Sequence, residues 1–424
     1  MSGSEVIFLN VAILAIGNEV LCGKIVDTNG AIISNKIERL GAKVVHREVV
    51  LDTTNDIVSG LHHGYEYADF VITIGGLGPT VDDLTREGVA HFFNEELVYD
   101  ENLYHDIEHH FLQMKRVAPE NNKKQAYRFA TGSVLKNKNG TAPGLMLNKD
   151  GKQVFLLPGP PGEIFPMFDE YVMPVIKALI RTPLITRSYR LYAIGESPAE
   201  EKMIHLYEHY PTLNIAPYAS ISFVDYVVSA KESDAHTLDL FEEAFLDILG
   251  EYCVGSAEVS LNVTVVEKLK ALRLKIAVAE SCTGGMLASS FIDVAGASAV
   301  FLEGLVVYSN EAKIARLGVE RTTIEREGAV SEACAKEMAV NLQRLTNADV
   351  TVSITGIAGP DGGTDAKPVG TVYIGICIGD ATHTFLCHFA GSREKIRLRA
   401  KDHALYLLYK LLHNGKLHFS LLER

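Results

Sequence analysis

A few side chains in this sequence have the types and spacing of a hydrolytic site. Ser281 stands in the stretch AESCTGG (279–285), after the apolar run 275–279 and before 286–292, which can continue as a helix. Such a short apolar run reads as a buried strand, so a small hydroxyl residue falls between strand and helix. A helix start offers unpaired N–H groups and the positive end of the helix dipole. Ser281 is therefore a candidate nucleophile, with an anion site expected beside it. A serine hydroxyl is a weak nucleophile and needs a base. Three further clusters follow: VVYSNEAK with Tyr308 and Lys313, SITGIAGPDGG (353–363), and FAGSREKIR with Arg393 and Arg397. None contains a histidine, so Lys313 is the natural base, provided that burial or neighbouring cations lower its pKa toward neutrality. The glycine loop could supply backbone donors to an oxyanion or cradle a phosphate. The two arginines could hold a phosphate through paired donors.

Each cluster alone has a plainer meaning. A serine before Gly-Gly is commonly a helix cap, a lone lysine a solvated surface group, a glycine stretch a turn, and paired arginines partners in surface ion pairs. Their co-occurrence favours chemistry: hydrolysis of an amide on a phosphorylated small molecule.

A second constellation lies near the other end. GGLGPTVDDLT (75–85) follows the apolar run Phe70–Ile74 directly. Its glycines Gly75, Gly76 and Gly78 permit a tight turn and close approach to a ligand. Thr80 and Asp83 also have the spacing of a helix-capping box. Capping does not account for adjacent acids, Asp82 and Asp83, beside a phosphate-type loop, because carboxylates repel phosphate unless a divalent cation bridges them. Glu19, Asp27 and Glu163 add acids in segments that end other strands, where open α/β sheets bind ligands.

The elements that must position these groups follow from the rest of the chain. At 424 residues, two or three domains are expected. The sequence is 47% hydrophobic and 22% charged, with a net charge of −13, which suits a globular α/β protein and disfavours broad nucleic-acid binding or an anionic membrane surface. There is no cleavable signal pattern and no membrane-span run. Six scattered cysteines without a C-x-x-C pair suit reduced thiols and a cytoplasmic location. Strand-like and helix-like text alternates from 6 to about 180, which implies a parallel sheet with both faces covered. A boundary is expected near Arg181–Pro183, then a small α+β module with strands near 189–194, 213–218 and 222–229 and helices at 198–209 and 233–249. The last unit opens on a helix whose inner face carries Val265, Leu269 and Leu272. The expected domains are thus 1–181, 182–255 and 256–424.

AESCTGG, YSNEAK, ITGIAGPDGG with KPVGT, and FAGSREKIR together resemble the C-terminal domain of the CinA (competence/damage-inducible protein A) family, a domain similar to nicotinamide mononucleotide (NMN) deamidases. The resemblance implies Ser281 as nucleophile, Lys313 as general base and Tyr308 in support. It sets Thr355, Gly356, Ala358 and Gly359 along the substrate, and Thr283 and Gly284 are read with them. Assigning the phosphate to Arg393 and Arg397 is an inference from chemistry. The Gly75–Thr85 loop, with segments 17–23, 27–29 and 158–163, resembles the molybdopterin-binding-like N-terminal domain of the same family, which is similar to metal-dependent ADP-ribose pyrophosphatases. That implies a divalent Mg, Mn or Co ion at Asp82, Asp83, Glu19, Asp27 and Glu163, although Asn18 stands where many relatives carry Asp. Nucleotide contacts would fall to Gly75, Gly76, Gly78 and Thr80. The middle module resembles a KH-type domain but has no basic G-x-x-G loop for RNA, and reads as a spacer or a dimerisation element.

The expectation is a bifunctional salvage enzyme acting on NMN and ADP-ribose, with no cofactor for the deamidase domain, and a homodimer. The alternatives are a non-enzymatic competence or recombination partner, and a molybdopterin-binding protein.

Overall fold

The computed structural model describes residues 9–180 and 184–414, so the boundary expected at Arg181–Pro183 lies outside the described residues. The chain divides into two compact units, Met1–Ile185 and Thr186–Arg424.

The first unit is built on a six-stranded sheet. Its parallel strands run in the order Lys43–Val50, Asn10–Ile16, Phe70–Ile74 and Lys152–Leu157. Antiparallel strands Gly144–Lys149 and Ser133–Leu135 then extend it, so the sheet is mixed rather than wholly parallel. The sequence periodicity explains why both faces are covered. Val11 and Ile13 belong to one core while Ala12, Leu14 and Ile16 belong to the other, the two-residue alternation of a strand buried on both sides. A helix not anticipated from sequence, Thr54–Tyr67, covers one face through Ile57 and Leu61.

The second unit holds a three-stranded antiparallel sheet, in the order Asn214–Ala219, Phe223–Lys231, Leu184–Tyr192, with helices Glu196–His209 and Ala235–Leu249. Next comes a five-stranded sheet in the order Phe301–Val306, Ile276–Glu280, Val350–Gly356, Thr371–Ile378, Ala381–His388. The first three strands are parallel, Thr371–Ile378 runs antiparallel to Val350–Gly356, and Ala381–His388 runs antiparallel to Thr371–Ile378. Tyr192 and Val254 of the smaller module share one buried cluster with Leu405, Tyr406 and Leu408 of the long helix Arg393–Asn414. Tyr406 and Lys410 also both donate to the Glu251 carbonyl. These shared contacts join the small module and the C-terminal domain into one unit.

Helix Leu261–Leu272 buries Val265 and Leu269 as expected, but Leu272, its last residue, is 44% exposed. Among the described residues no helix is long and apolar enough to cross a membrane. Of the cysteines, Cys22 is exposed, Cys253 is half-buried and the other four are buried.

Candidate functional site

The strand Ile276–Glu280, second in the five-stranded sheet, is buried along its whole length. Ile276 and Val278 point into the main core, while the small Ala277 and Ala279 face the helix Glu332–Thr346. Ser281 continues this strand by one bond, its N–H donating to the Ile354 carbonyl at 2.9 Å. The chain then turns, with the Gly284 N–H donating back to the Ser281 carbonyl at 3.2 Å. Gly284 and Gly285 take φ of 61° and 96°, left-handed conformations that a side chain would strain.

The helix begins only at Met286, so Ser281 is not at its N-terminus. The anion site expected there is also filled from within the protein. Glu280, 1% exposed, accepts from the N–H groups of Gly285, Leu287 and Ala288 at 3.0, 3.1 and 2.7 Å. A carboxylate thus satisfies the orphan donors of the first turn, and that helix end is closed to a substrate anion.

Lys313 reaches the serine from the helix Asn310–Leu317. Ser309 caps this helix by accepting from the Ala312 N–H at 3.0 Å, and Lys313 and Leu317, one turn apart, form its buried face. Nζ lies 2.9 Å from Ser281 Oγ and 3.1 Å from each of the Val307 and Tyr308 carbonyls. The lysine is 2% exposed, and among the described residues it forms no ion pair with a carboxylate. Burial lowers its pKa, against smaller opposing effects of Cys334 and Cys282. A neutral amine has two N–H groups, which the two carbonyls can accept. Its lone pair is then left for the serine proton, which is the arrangement a general base requires.

The other expected residues have mixed placements. The Tyr308 phenol is 62% exposed and accepts from Arg393 Nη2 at 3.2 Å, while its backbone carbonyl holds Lys313. Arg393 Nη1 also donates to the Gly359 carbonyl at 2.7 Å. Arg397 grips the turn after the serine, Nε on the Cys282 carbonyl and Nη2 on the Thr283 carbonyl, both at 3.0 Å. Both arginines lie in the helix Arg393–Asn414, as expected, but these bonds brace the site's backbone instead of presenting a free fork. Thr355 follows Ile354, whose carbonyl holds the Ser281 N–H, and its hydroxyl is taken by a backbone carbonyl. Thr351, Ser353 and Thr355, alternating along one strand, donate to the carbonyls of Ala339, Ala335 and Ala329, at 2.8, 2.6 and 2.7 Å. Gly356 packs against the Cys282 side chain, where a Cβ would meet Sγ at 3.1 Å. Ala358 is buried, and Gly359 takes a φ of 77° at the start of the glycine loop. Thr283 is fully buried, and its hydroxyl has no hydrogen-bond partner among the described residues.

In the first unit, the C-terminal ends of the parallel strands open on a cavity of about 620 Å³. All four expected segments contribute to it, through Glu19, Asp27, Gly75 to Gly78, Asp82, Asp83 and Glu163. A Cβ on Gly75 would lie 2.5 Å from the Ile16 carbonyl, and one on Gly76 2.1 Å from Thr85 Oγ1, so neither position admits a side chain. Thr80 does not cap the helix Thr85–Phe93. Its N–H donates to Asp83 Oδ2 at 2.7 Å and its hydroxyl to Asp82 and Asp83 at 2.5 Å, all within the loop.

Two residues of this loop region escaped sequence reasoning. Arg86, 1% exposed, supports the loop from beneath, donating to the Leu77 and Gly78 carbonyls at 3.2 and 3.3 Å. Asp52 accepts from the Asn18 N–H at 2.7 Å, and its pKa is raised by burial and by Glu19, Asp82 and Asp83. An acid following a strand was the available signal for Asp52. Nothing in the sequence separates Arg86 from a surface arginine.

Two of the expected metal ligands have other partners. Asp27 pairs with Arg47 at 2.8 Å and caps the helix Thr28–Leu40, and Glu163 accepts from Asn137 at 2.6 Å. Among the described residues no three His, Cys, Asp or Glu side chains form a ready metal cage. The donor chemistry still suits a hard cation. Glu19, Asp52, Asp82 and Asp83 crowd like charges at one cavity, and Mg²⁺ commonly takes one or two carboxylates, completing its shell with water and substrate phosphate.

A family model described as the CinA C-terminal domain matches residues 258–412, and one described as a probable molybdopterin binding domain matches residues 12–178. Proteins of Clostridium botulinum (strain Langeland) and Clostridium beijerinckii, both named as competence-damage inducible, are each 40% identical to this chain over 408 residues, spanning 95% of it and 100% of their own length. Among solved structures, a CinA superfamily protein from Escherichia coli is 38% identical, covering 36% of this chain and 88% of its own, with a TM-score of 0.35. The protein CinA from Thermoplasma acidophilum is 32% identical, covering 40% and 98%, with a TM-score of 0.37.

Proposed function

The chain belongs to the CinA (competence/damage-inducible) family, and on that premise we propose that its C-terminal domain hydrolyses the amide of nicotinamide mononucleotide to nicotinate mononucleotide and ammonia. The observation that carries this reading is the 2.9 Å contact of a buried, carboxylate-free Lys313 with Ser281 Oγ. Ser281 Oγ attacks the amide carbon as its proton passes to Lys313 Nζ. The N–H groups of Cys282 and Thr283, next in the turn, are the candidate donors to the oxyanion. Lys313 returns the proton to the departing ammonia, leaving an ester on Ser281. Water, deprotonated by the same amine, then cleaves this ester to release the carboxylate product. Arg397 acts here as a positioning residue through the Cys282 and Thr283 carbonyls. The test is direct: the purified chain given nicotinamide mononucleotide should release ammonia and nicotinate mononucleotide in equal amounts, and absence of both products refutes the reading.

For the first unit the proposal is divalent-cation-dependent hydrolysis of ADP-ribose to AMP and ribose 5-phosphate, supported by the acid-rimmed cavity below the Gly75–Gly78 turn. Asp82 and Asp83, with Glu19 and Asp52, would hold a Mg, Mn or Co ion, which when bound would offset the diphosphate charge. The chain itself contributes backbone N–H groups of the glycine turn for phosphate and, through Arg86, a buried positive charge beneath it. Replacing Asp82 by Asn should lower ADP-ribose hydrolysis by about tenfold or more while leaving ammonia release intact. An assay with each of the three metals checks this, and equal loss of both activities would count against two separate sites.

A further inference from the structure

Within the second unit, away from Ser281, a cavity of about 600 Å³ lies where the three-stranded sheet meets the helix Arg393–Asn414. Its volume is in the usual range for a small-molecule site. One wall is aromatic. Tyr192 lies 5.7 Å from Phe223 and 6.3 Å from Tyr406, and the His403 ring lies 5.6 and 5.7 Å from Phe389 and Tyr406. Burial takes the His403 pKa down to about 4, so its imidazole is neutral and can both donate and accept.

The polar groups at the cavity are under-used. Ser222 Oγ is buried and has no hydrogen-bond partner among the described residues. Arg399 donates Nε to the Ile221 carbonyl at 2.9 Å and Nη1 to the Ala390 carbonyl, and among the described residues no carboxylate pairs with it. The helix Glu196–His209 begins at the cavity on Gly195, with no side-chain cap on its first N–H groups. Ala193, also in the lining, has a φ of 60°, a conformation uncommon for a residue with a Cβ and found where surrounding structure imposes it.

We propose that this cavity binds a nucleoside monophosphate, with the base against Phe223, Phe389 and His403 and the phosphate on Arg399, Ser222 and the free helix end. A buried unpaired hydroxyl beside an uncompensated guanidinium calls for an anionic acceptor, and the aromatic wall calls for a planar ring. The site is separate from both proposed active sites and stands whether or not the amidase reading holds.

The chain has no tryptophan, so one introduced at the cavity reports from that place alone. In the full chain carrying Phe389→Trp, titration with AMP should change the emission saturably. Adding Arg399→Ala should weaken the apparent affinity by about tenfold or more, as expected for one lost charge-assisted contact. Circular dichroism verifies folding, and Phe223→Trp serves as a second reporter should Phe389→Trp unfold. No saturable change with AMP or nicotinate mononucleotide at either reporter overturns the proposal, as does an affinity that Arg399→Ala leaves unaltered.

Discussion

Replacing Lys313 with methionine is expected to lower ammonia release from nicotinamide mononucleotide by about 10³-fold, the middle of the range for loss of a general base. Methionine keeps much of the side chain's length while removing the amine. Ser281→Ala should cost at least as much, and the double variant little more than either, because nucleophile and base act as one unit. Steady-state kinetics on the three variants checks this; independent, multiplying losses would separate the two residues. In the wild type the rate should rise with pH as Lys313 sheds its proton. Burial lowers its pKa, so the rise should come below the ordinary lysine range near 10.4.

The same shift has a consequence for stability. Between the lowered folded pKa and the unfolded value, the unfolded chain binds more protons at this lysine than the folded one. Stability therefore increases with pH across that window and levels off beyond it. Lys313→Met should lack this increment, and thermal melts of both proteins across alkaline pH would measure the difference.

Glu280→Ala is expected to be the most destabilising single change around the serine. It strands three N–H groups, at Gly285, Leu287 and Ala288, beneath the surface. At about 1–3 kcal/mol for each unsatisfied buried donor, the loss is about 3 kcal/mol or more. For a unit of this size that is roughly 6–12 °C in melting temperature. Glu280→Gln should fall between, since one carboxyl oxygen becomes an amide NH2, a donor facing a donor. Activity should drop with stability in both, because the Cys282–Gly285 turn that carries the serine loses its anchor. A Glu280→Ala protein with unchanged melting would show the carboxylate to be dispensable.

The residues differ in how far the sequence could reveal them. Ser281 and Lys313 were legible because strand, turn and helix signals lie next to them, and because a serine without a nearby histidine narrows the choice of base. Glu280 was not. Its neighbours in sequence place it on a strand, but its partners lie on the following helix, and only the turn's path brings its carboxylate over those N–H groups. The partner of the Thr355 hydroxyl was hidden for a related reason. Alternation shows that Thr351, Ser353 and Thr355 share a face, but not that the facing carbonyls take all three hydroxyls. Arg393 and Arg397 were legible as a pair on one helix turn, yet an arginine fork fits a backbone carbonyl as well as a phosphate. In the first unit three of the four cavity segments were legible because each follows a strand, whereas Asp27–Asn29 opens the helix Thr28–Leu40 instead. The antiparallel pair that extends the sheet depends on a hairpin at Asp150–Gly151, where both residues have positive φ, and this Asp-Gly pair is a hairpin signal that the sequence does offer.

The uneven burial of the cysteines gives the chain a built-in attachment point. Cys282 and Cys334 have pKa values raised by burial to about 11, Cys387 to about 12, and Cys253 is also raised. Thiol reagents act on the thiolate, so at neutral pH a maleimide dye should go to the exposed Cys22. That sulfur sits one turn from Glu19, donating to its carbonyl at 3.6 Å, and Glu19 lines the first unit's cavity. The unmutated protein can thus carry a fluorophore where a cation or nucleotide would arrive, and occupancy of that cavity can be followed with no engineered residue.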